Sequence, residues 1–137
     1  MARLENTPVR LILHPYLDHS GAVDLVRSSD ALSLLLAGVP GAGRVVPAKV
    51  FESMAARRTV LAIAPPGEAR DLLVDHPSRG LFAPAETTAV ADFLAQEIER
   101  KARGESISFD GYDPSRFDRR HQAGMLAGLL DELPNVN

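Results

Sequence analysis

Cysteine is absent from the sequence of 137 residues. This absence excludes disulfides, zinc sites built from thiolates and cysteine nucleophiles, and it is compatible with a reducing compartment. Long hydrophobic runs are missing as well, because even residues 31–39 fall far short of the roughly 18 residues that a membrane-spanning helix needs. The opening residues, MARLENTPVR, lack the basic and then apolar pattern of a secretory signal. We therefore expect a cytoplasmic protein.

A large excess of one charge is also missing. The chain carries 15 basic and 18 acidic side chains, which gives a formal net charge of -3. Such a balance creates no field that would collect nucleic acid over the whole surface, so we expect no nucleic acid partner. Hydrophobic residues make up 45% of the chain, which is too apolar for a disordered protein. A chain of this length can bury one core, and one domain is expected.

Short apolar runs alternate with amphipathic segments along the chain. Four runs predict buried strands, at residues 9–14, 31–37, 59–64 and 80–82. Four segments predict helices, one capped by Asp18 or Ser20 and ending at residues 28–30, and three at residues 47–56, 68–74 and 87–103. This alternation is typical of an α/β fold, here a Rossmann-like three-layer sandwich with a mostly parallel sheet.

The alternation stops after residue 103. Residues 104–114, GESISFDGYDP, follow neither period and predict a connector. Five side chains then recur at the spacing of an amphipathic helix, namely Phe117, His121, Met125, Leu129 and Leu133. The sequence therefore predicts a domain at residues 1–103, a connector at 104–114 and a C-terminal helix at 115–137 that packs back on the domain.

A glycine-rich loop, residues 38–44, leads into the second predicted helix. Ligands of an open parallel sheet bind beyond the carboxyl ends of its strands, where this loop must lie. A helix start carries unpaired N–H groups, so a diphosphate is favoured against residues 46–49, with Arg44 or Lys49 adding a charged contact. Glu52 follows one turn later, where its carboxylate can accept the hydroxyls of a ribose. The same spacing also fits a surface ion pair between Lys49 and Glu52.

The loop and its flanks carry a family resemblance. Residues 45–73, VVPAKVFESMAARRTVLAIAPPGEARDLL, resemble the donor-site region of family 4 glycosyltransferases of the GT-B fold. That region has a glutamate, seven residues and then E-A-M-A-x-G-x-P-V, and residues 52–56, ESMAA, correspond to its centre. Upstream, residues 16–36 resemble the family's turn, helix and R-S-A-D segment before a strand. The ordered resemblance covers residues 9–94.

The resemblance implies roles for particular residues. The second glutamate of the motif binds the donor ribose in such enzymes, and here it would be Glu52. The diphosphate would be held by the backbone of Val46, Pro47, Ala48 and Lys49. The base pocket would be lined by Tyr16, Leu17 and His19. The first glutamate, which contacts the donor hexose, is replaced by Arg44. Some relatives also have no obvious first glutamate and carry a lysine three residues before the second one, as Lys49 is here.

The resemblance further implies an activity and partners. It predicts the C-terminal, donor-binding half of a GT-B fold without its first strand and helix, and hence a missing N-terminal acceptor domain as partner. The activity would be transfer of a hexose from a nucleotide diphosphate sugar to a saccharide or lipid acceptor, with retention favoured, and the chain alone would be inactive. We expect no metal or other cofactor, because the four histidines are scattered without ligand spacing.

Other functions fit the same sequence. A non-catalytic Rossmann-like interaction module, or a pseudo-glycosyltransferase fragment, is favoured by the missing first glutamate, and it would dimerise through the exposed side of the first strand. An epimerase acting on nucleotide sugars also uses the GT-B fold. Arg116, Arg119 and Arg120 predict a solvated helix face or a peripheral contact with an anionic membrane.

Overall fold

The computed structural model describes residues 9–133. Its helices are α1 (His19–Ser28), α2 (Lys49–Ala56), α3 (Glu68–Asp71), α4 (Thr87–Ala102) and α5 (Arg119–Asp131). Its strands are β1 (Ala31–Leu35), β2 (Thr59–Ile63) and β3 (Arg79–Phe82), and short 3-10 turns occupy Ala42–Arg44 and Ser115–Phe117. The predicted α/β class is confirmed.

The three strands form one open sheet in the order β1, β2, β3, and both pairings are parallel. Ala31 lies opposite Thr59, and Val60 lies opposite Arg79. The central strand β2 reads TVLAI, a continuous apolar run, and its first four residues are buried. Such a run suits a strand that is covered on both faces. The parallel sheet predicted from the sequence is therefore confirmed.

The core lies where α2 and α3 meet this sheet. α2 contributes Val50 and Met54, which are one turn apart and therefore share a face of the helix. They join Val60 of β2 and Leu73, which follows α3, in one apolar cluster. The cluster holds α2 in place, and with it the candidate site residues on the opposite face of that helix.

The strand predicted at residues 9–14 is wrong. No strand occurs before β1 within the described residues, and Val9, Leu11, Ile12 and Leu13 are each more than half exposed. An apolar run forms a strand only where a neighbouring strand takes its backbone hydrogen bonds. Within residues 9–133 this segment pairs with no strand, and the outer edge of β1 stays unpaired.

The last predicted helix is divided in two. The 3-10 turn Ser115–Phe117 comes first, and Asp118 then caps α5 by accepting hydrogen bonds from the N–H groups of Arg120 at 2.9 Å and His121 at 3.0 Å. Phe117 packs on Phe51 with the ring centroids 5.3 Å apart, whereas α5 has no buried residue. The segment predicted to pack back on the domain therefore does so at its start, and its residues 134–137 lie outside the described residues.

The helices differ in length, and α4 with 16 residues is the longest in the described part of the chain. No helix within residues 9–133 combines the length and the apolar character that crossing a membrane requires. The contact of an anionic membrane with Arg116, Arg119 and Arg120 stays a prediction.

Truncation of Leu73 tests the assignment of the core. Because this side chain is fully buried in the cluster, Leu73→Ala leaves a cavity, and we expect the free energy of unfolding to fall by about 2–5 kcal/mol in urea denaturation. Leu130→Ala is the matched control, because Leu130 is 57% exposed, and its effect should stay within about 0.5 kcal/mol. Equal losses for the two variants would contradict this core.

Candidate functional site

Two loops meet at the carboxyl edge of the sheet. One leaves β1 and the other leaves β2, and parallel strands bring both loops to the same edge. They touch through glycine backbone: a Cβ on Gly43 would lie 2.5 Å from the carbonyl oxygen of Pro66, and one on Gly67 would lie 2.6 Å from the Cα of Gly43. Gly67 also has a φ of 146°, a conformation that favours glycine. These two glycines thus bring the loops together, whatever ligand binds nearby.

The first of these loops ends at the start of α2. The N-cap is Ala48, so α2 begins at Lys49, two residues after the start predicted at residue 47. The N–H group of Val50 donates to the carbonyl of Pro47 at 3.0 Å. The N–H groups of Ala48 and Lys49 donate to no acceptor among residues 9–133, and no side chain caps them there. They are the free donors that an anion at a helix start would engage.

A groove runs between α1 and α2. Its volume is about 330 Å³, and it brings together His19 of α1 and Glu52 of α2, which are far apart in the sequence. Apart from these two side chains and Arg27, its lining is apolar, consisting of Ala22, Val23, Val26, Ala55 and Ala56. A small apolar wall with a few polar groups is the usual composition of a ligand site.

The direction of the two helices explains why these residues meet. α1 and α2 each lead through a two-residue turn into one of a pair of parallel strands, so both helices end at the amino edge of the sheet. A hydrogen bond from the Arg58 guanidinium to the carbonyl oxygen of Arg27 ties these ends together. The two helix starts, with His19 and Glu52, consequently lie towards the other edge, where the glycine loops are.

His19 owes its place to a cap. Oδ1 of Asp18 accepts hydrogen bonds from the N–H of Gly21 at 2.8 Å and from the hydroxyl of Ser20 at 3.2 Å. These bonds lower the pKa of Asp18 from its ordinary value, the Gly21 bond most, with a smaller contribution from the charge of His19. Asp18 is therefore the cap of α1, and the alternative, Ser20, donates to it. The cap makes His19 the first residue of the helix, at the mouth of the groove.

Glu52 is exposed and remains available to a ligand. The predicted alternative was an ion pair between Lys49 and Glu52, but neither residue takes part in a salt bridge within the described part of the chain. Lys49 is exposed too, and its carbonyl oxygen accepts a hydrogen bond from the hydroxyl of Ser53 at 2.7 Å. The structure thus leaves both charges free of each other.

The other predicted site residues are more scattered. Tyr16 is 96% exposed, and neither Tyr16 nor Leu17 is part of the groove lining. The side chain of Val46 packs against the core cluster, so only its backbone could face a ligand. Arg44 is exposed at the end of its 3-10 turn, in the loop that precedes α2. The structure therefore groups His19 with Glu52, and Arg44 with the start of α2.

Sequence reasoning missed Arg27 as a groove residue. The signal was present, because Ala22 or Val23, Val26 and Arg27 follow His19 at steps of three and four along α1. By itself, that spacing predicts only the apolar face of a helix. What the spacing could not show is that the face lies opposite Glu52, Ala55 and Ala56 of α2.

Metal ligation has no clear candidate here. Among residues 9–133, no group of three or more histidine, aspartate or glutamate side chains is arranged to hold an ion. The expectation that the protein binds no metal stays a prediction.

The contact between the two glycine loops can be tested by substitution. Gly67→Ala forces a side chain into the backbone of Gly43 and strains a φ of 146°, so we expect it to lower the free energy of unfolding by about 2 kcal/mol or more. Gly38→Ala is the control, since its Cβ would lie 3.4 Å from Pro84 and its φ is not positive. A similar change in both proteins, measured by thermal unfolding, would argue against a close loop contact.

The candidate site consists of the groove, the start of α2 and the two glycine loops, and the groove extends along both helices from His19 and Glu52 to Arg27 and Ala56. No protein-family model, curated protein or solved structure matches the chain. The evidence for a function therefore lies in the residues, their geometry and the resemblance of residues 9–94 to family 4 glycosyltransferases.

Proposed function

We propose that this chain is the donor-binding half of a nucleotide-sugar-dependent glycosyltransferase, which transfers a hexose from a nucleotide diphosphate sugar to a saccharide or lipid acceptor. The observation that carries the proposal is that His19 and Glu52, two residues assigned by the resemblance to one nucleoside, line the same groove. The rest of the groove is mainly apolar, which suits a base and a ribose.

The chemistry of the groove and its rim matches a nucleoside diphosphate. The Glu52 carboxylate only accepts hydrogen bonds when ionised, and the two hydroxyls of a ribose donate them. The free N–H groups of Ala48 and Lys49 are donors for phosphate oxygens, and the side chains of Lys49 and Arg44 add positive charge. These groups stabilise the departing diphosphate as its negative charge develops.

A second observation supports the alignment with the family motif. Counted from Glu52, the glycine of E-A-M-A-x-G-x-P-V falls on Arg57. Arg57 ends α2 with a φ of 52°, in the left-handed region that favours glycine. Its guanidinium donates to the carbonyl oxygen of Tyr112 at 3.3 Å. The helix thus ends in the conformation that the motif's glycine permits, although an arginine occupies the position.

The reaction needs more than this site. When the bond between the hexose C1 and the diphosphate oxygen breaks, a new bond forms from C1 to an acceptor hydroxyl, whose proton must leave. The N-terminal acceptor domain would bind the acceptor and would supply the group that takes its proton. We propose that this chain alone is inactive and that the full enzyme works in the cytoplasm.

A non-catalytic interaction module is the second candidate. The observation that favours it is exposed apolar surface in two places, at Val9, Leu11, Ile12 and Leu13 and along α5 at Met125, Leu126, Leu129 and Leu130. Such surface is uncommon on a monomer and marks contacts with other chains. In this case a dimer would form through the free edge of β1, and not through a strand at residues 9–14.

Calorimetric titration with UDP, GDP, ADP and CDP tests the leading proposal. We expect at least one of them to bind, and Glu52→Gln to weaken that binding about tenfold or more, because the ribose loses hydrogen bonds to a charged group. Glu99→Gln is the matched control, since Glu99 is an exposed glutamate of α4 outside the groove, and it should bind as the wild type does.

The two candidates give different outcomes. Binding that Glu52→Gln and Glu99→Gln weaken equally would remove Glu52 from the site. If no nucleotide binds and sedimentation shows a dimer, the interaction module replaces the glycosyltransferase as the better account.

A further inference from the structure

His76 is buried in the turn that precedes β3, at the edge of the sheet where the strands begin. It follows α3, precedes β3, and is fully shielded from solvent. The rings of Phe109 and Tyr112 stand nearly perpendicular to the imidazole, at 74° and 73°, with centroids 5.5 and 5.1 Å away. Both aromatic residues belong to the connector, residues 104–114. The connector is therefore held to the domain by a cluster built around a histidine.

The hydrogen bonds of His76 involve only one of its two ring nitrogens. Nδ1 lies 2.9 Å from the carbonyl oxygen of Ser78, and the Ser78 N–H lies 3.3 Å from the same nitrogen. Nε2 is buried and has no hydrogen-bond partner among the described residues. With its proton on Nδ1, the neutral ring donates to Ser78 and presents an uncharged edge to the two aromatic rings.

A second proton on the ring would create a buried donor without an acceptor. The imidazolium carries an N–H at Nε2, and within residues 9–133 no acceptor receives it. A buried charge without a partner costs far more than a buried neutral ring. Two aromatic side chains of the connector pack on the imidazole, so moving the connector away exposes the ring to water.

We propose that His76 is a pH-sensitive latch, whose neutral ring holds residues 104–114 against the domain and whose protonation releases them. The other contacts of the connector lie mainly at its two ends. Glu105 pairs with Arg103, its N–H donates to the Arg100 carbonyl at 3.2 Å, and its carbonyl accepts from the Arg100 guanidinium at 2.6 Å. The Tyr112 carbonyl accepts from the Arg57 guanidinium at 3.3 Å, and the Tyr112 side chain packs against the core cluster.

The charges around the cluster favour the neutral ring. Arg79 of β3 donates to the carbonyl oxygen of His76 at 2.7 Å and opposes a positive charge on the imidazole. Burial lowers the pKa of His76 from its ordinary value of 6.5, Arg79 lowers it further, and the hydrogen bond to Ser78 opposes the shift. The remaining charged groups act on the Tyr112 hydroxyl and are Asp75, Arg57 and Arg116.

The direction of the pH effect follows from this lowered pKa. Well above pH 6.5 the ring is neutral in both the docked and the released connector, so docking is at full strength. As the pH falls below 6.5, the released state takes up the proton first. The equilibrium constant for docking of the connector then falls by up to about tenfold per pH unit, until the ring of the docked state is protonated as well.

Hydrogen exchange of the intact chain tests the latch. We expect the protection factors of the connector amides, among them that of Tyr112, which donates to the Phe109 carbonyl, to fall up to about tenfold between pH 6.5 and 5.5. The amides of β2 are the internal reference and should keep their protection. In His76→Phe, which keeps an aromatic ring but cannot take a proton, the connector should lose this pH dependence.

His14→Phe is the matched control, because His14 is exposed and lies outside the connector and its contacts, and it should leave the pH dependence as in the wild type. Equal pH dependence in His76→Phe and in the wild type overturns the latch, and so does a wild-type connector whose protection does not change.

Should His76→Phe fail to fold, an NMR titration of the wild-type His76 ring decides. A ring that takes up its proton below pH 6.5 together with loss of connector protection supports the latch. A ring that titrates while the connector stays protected overturns it.

Discussion

The central strand β2 shares backbone hydrogen bonds with β1 on one side and with β3 on the other, and both partners run parallel to it. Parallel pairing forces every connection to return to the opposite edge of the sheet before the next strand begins. That requirement makes α2 run back along the sheet, brings the glycine loops after β1 and β2 to one edge, and leaves the turns before β2 and β3 at the other. The glycine loops and the His76 cluster therefore lie at opposite edges for the same reason.

The glycines at the site edge show how a structural need can resemble a functional one. Gly43 lies in a loop whose composition is typical of phosphate binding, yet it is required by the backbone contact with Gly67. The N–H groups without an acceptor at the start of α2 belong instead to Ala48 and Lys49, and neither of these residues is a glycine. A ligand at this edge would use the start of α2, and the glycines would keep that start close to the sheet.

The fold was largely predictable from local pattern, and the site only in part. The strands that became β1, β2 and β3 are apolar runs, and the cap at Asp18 acts over three residues, so both are visible in a short window. Residues 9–14 have the same apolar character and form no strand, because a strand also needs a neighbour. Glu52 was identified from its motif, but the role of Arg27 in the groove depends on which face of α1 lies opposite α2.

By itself, the sequence determined the α/β class, the order of the elements from α1 to α4 and the position of Glu52 near a helix start, since propensity, periodicity and capping act between neighbouring residues. Tertiary structure alone decided that His19 and Glu52 share a groove, that Gly43 touches Gly67, and that Phe109 and Tyr112 close over His76. Each of these is a contact between residues far apart in the chain. Such contacts depend on the packing of whole elements, which no short stretch of sequence encodes.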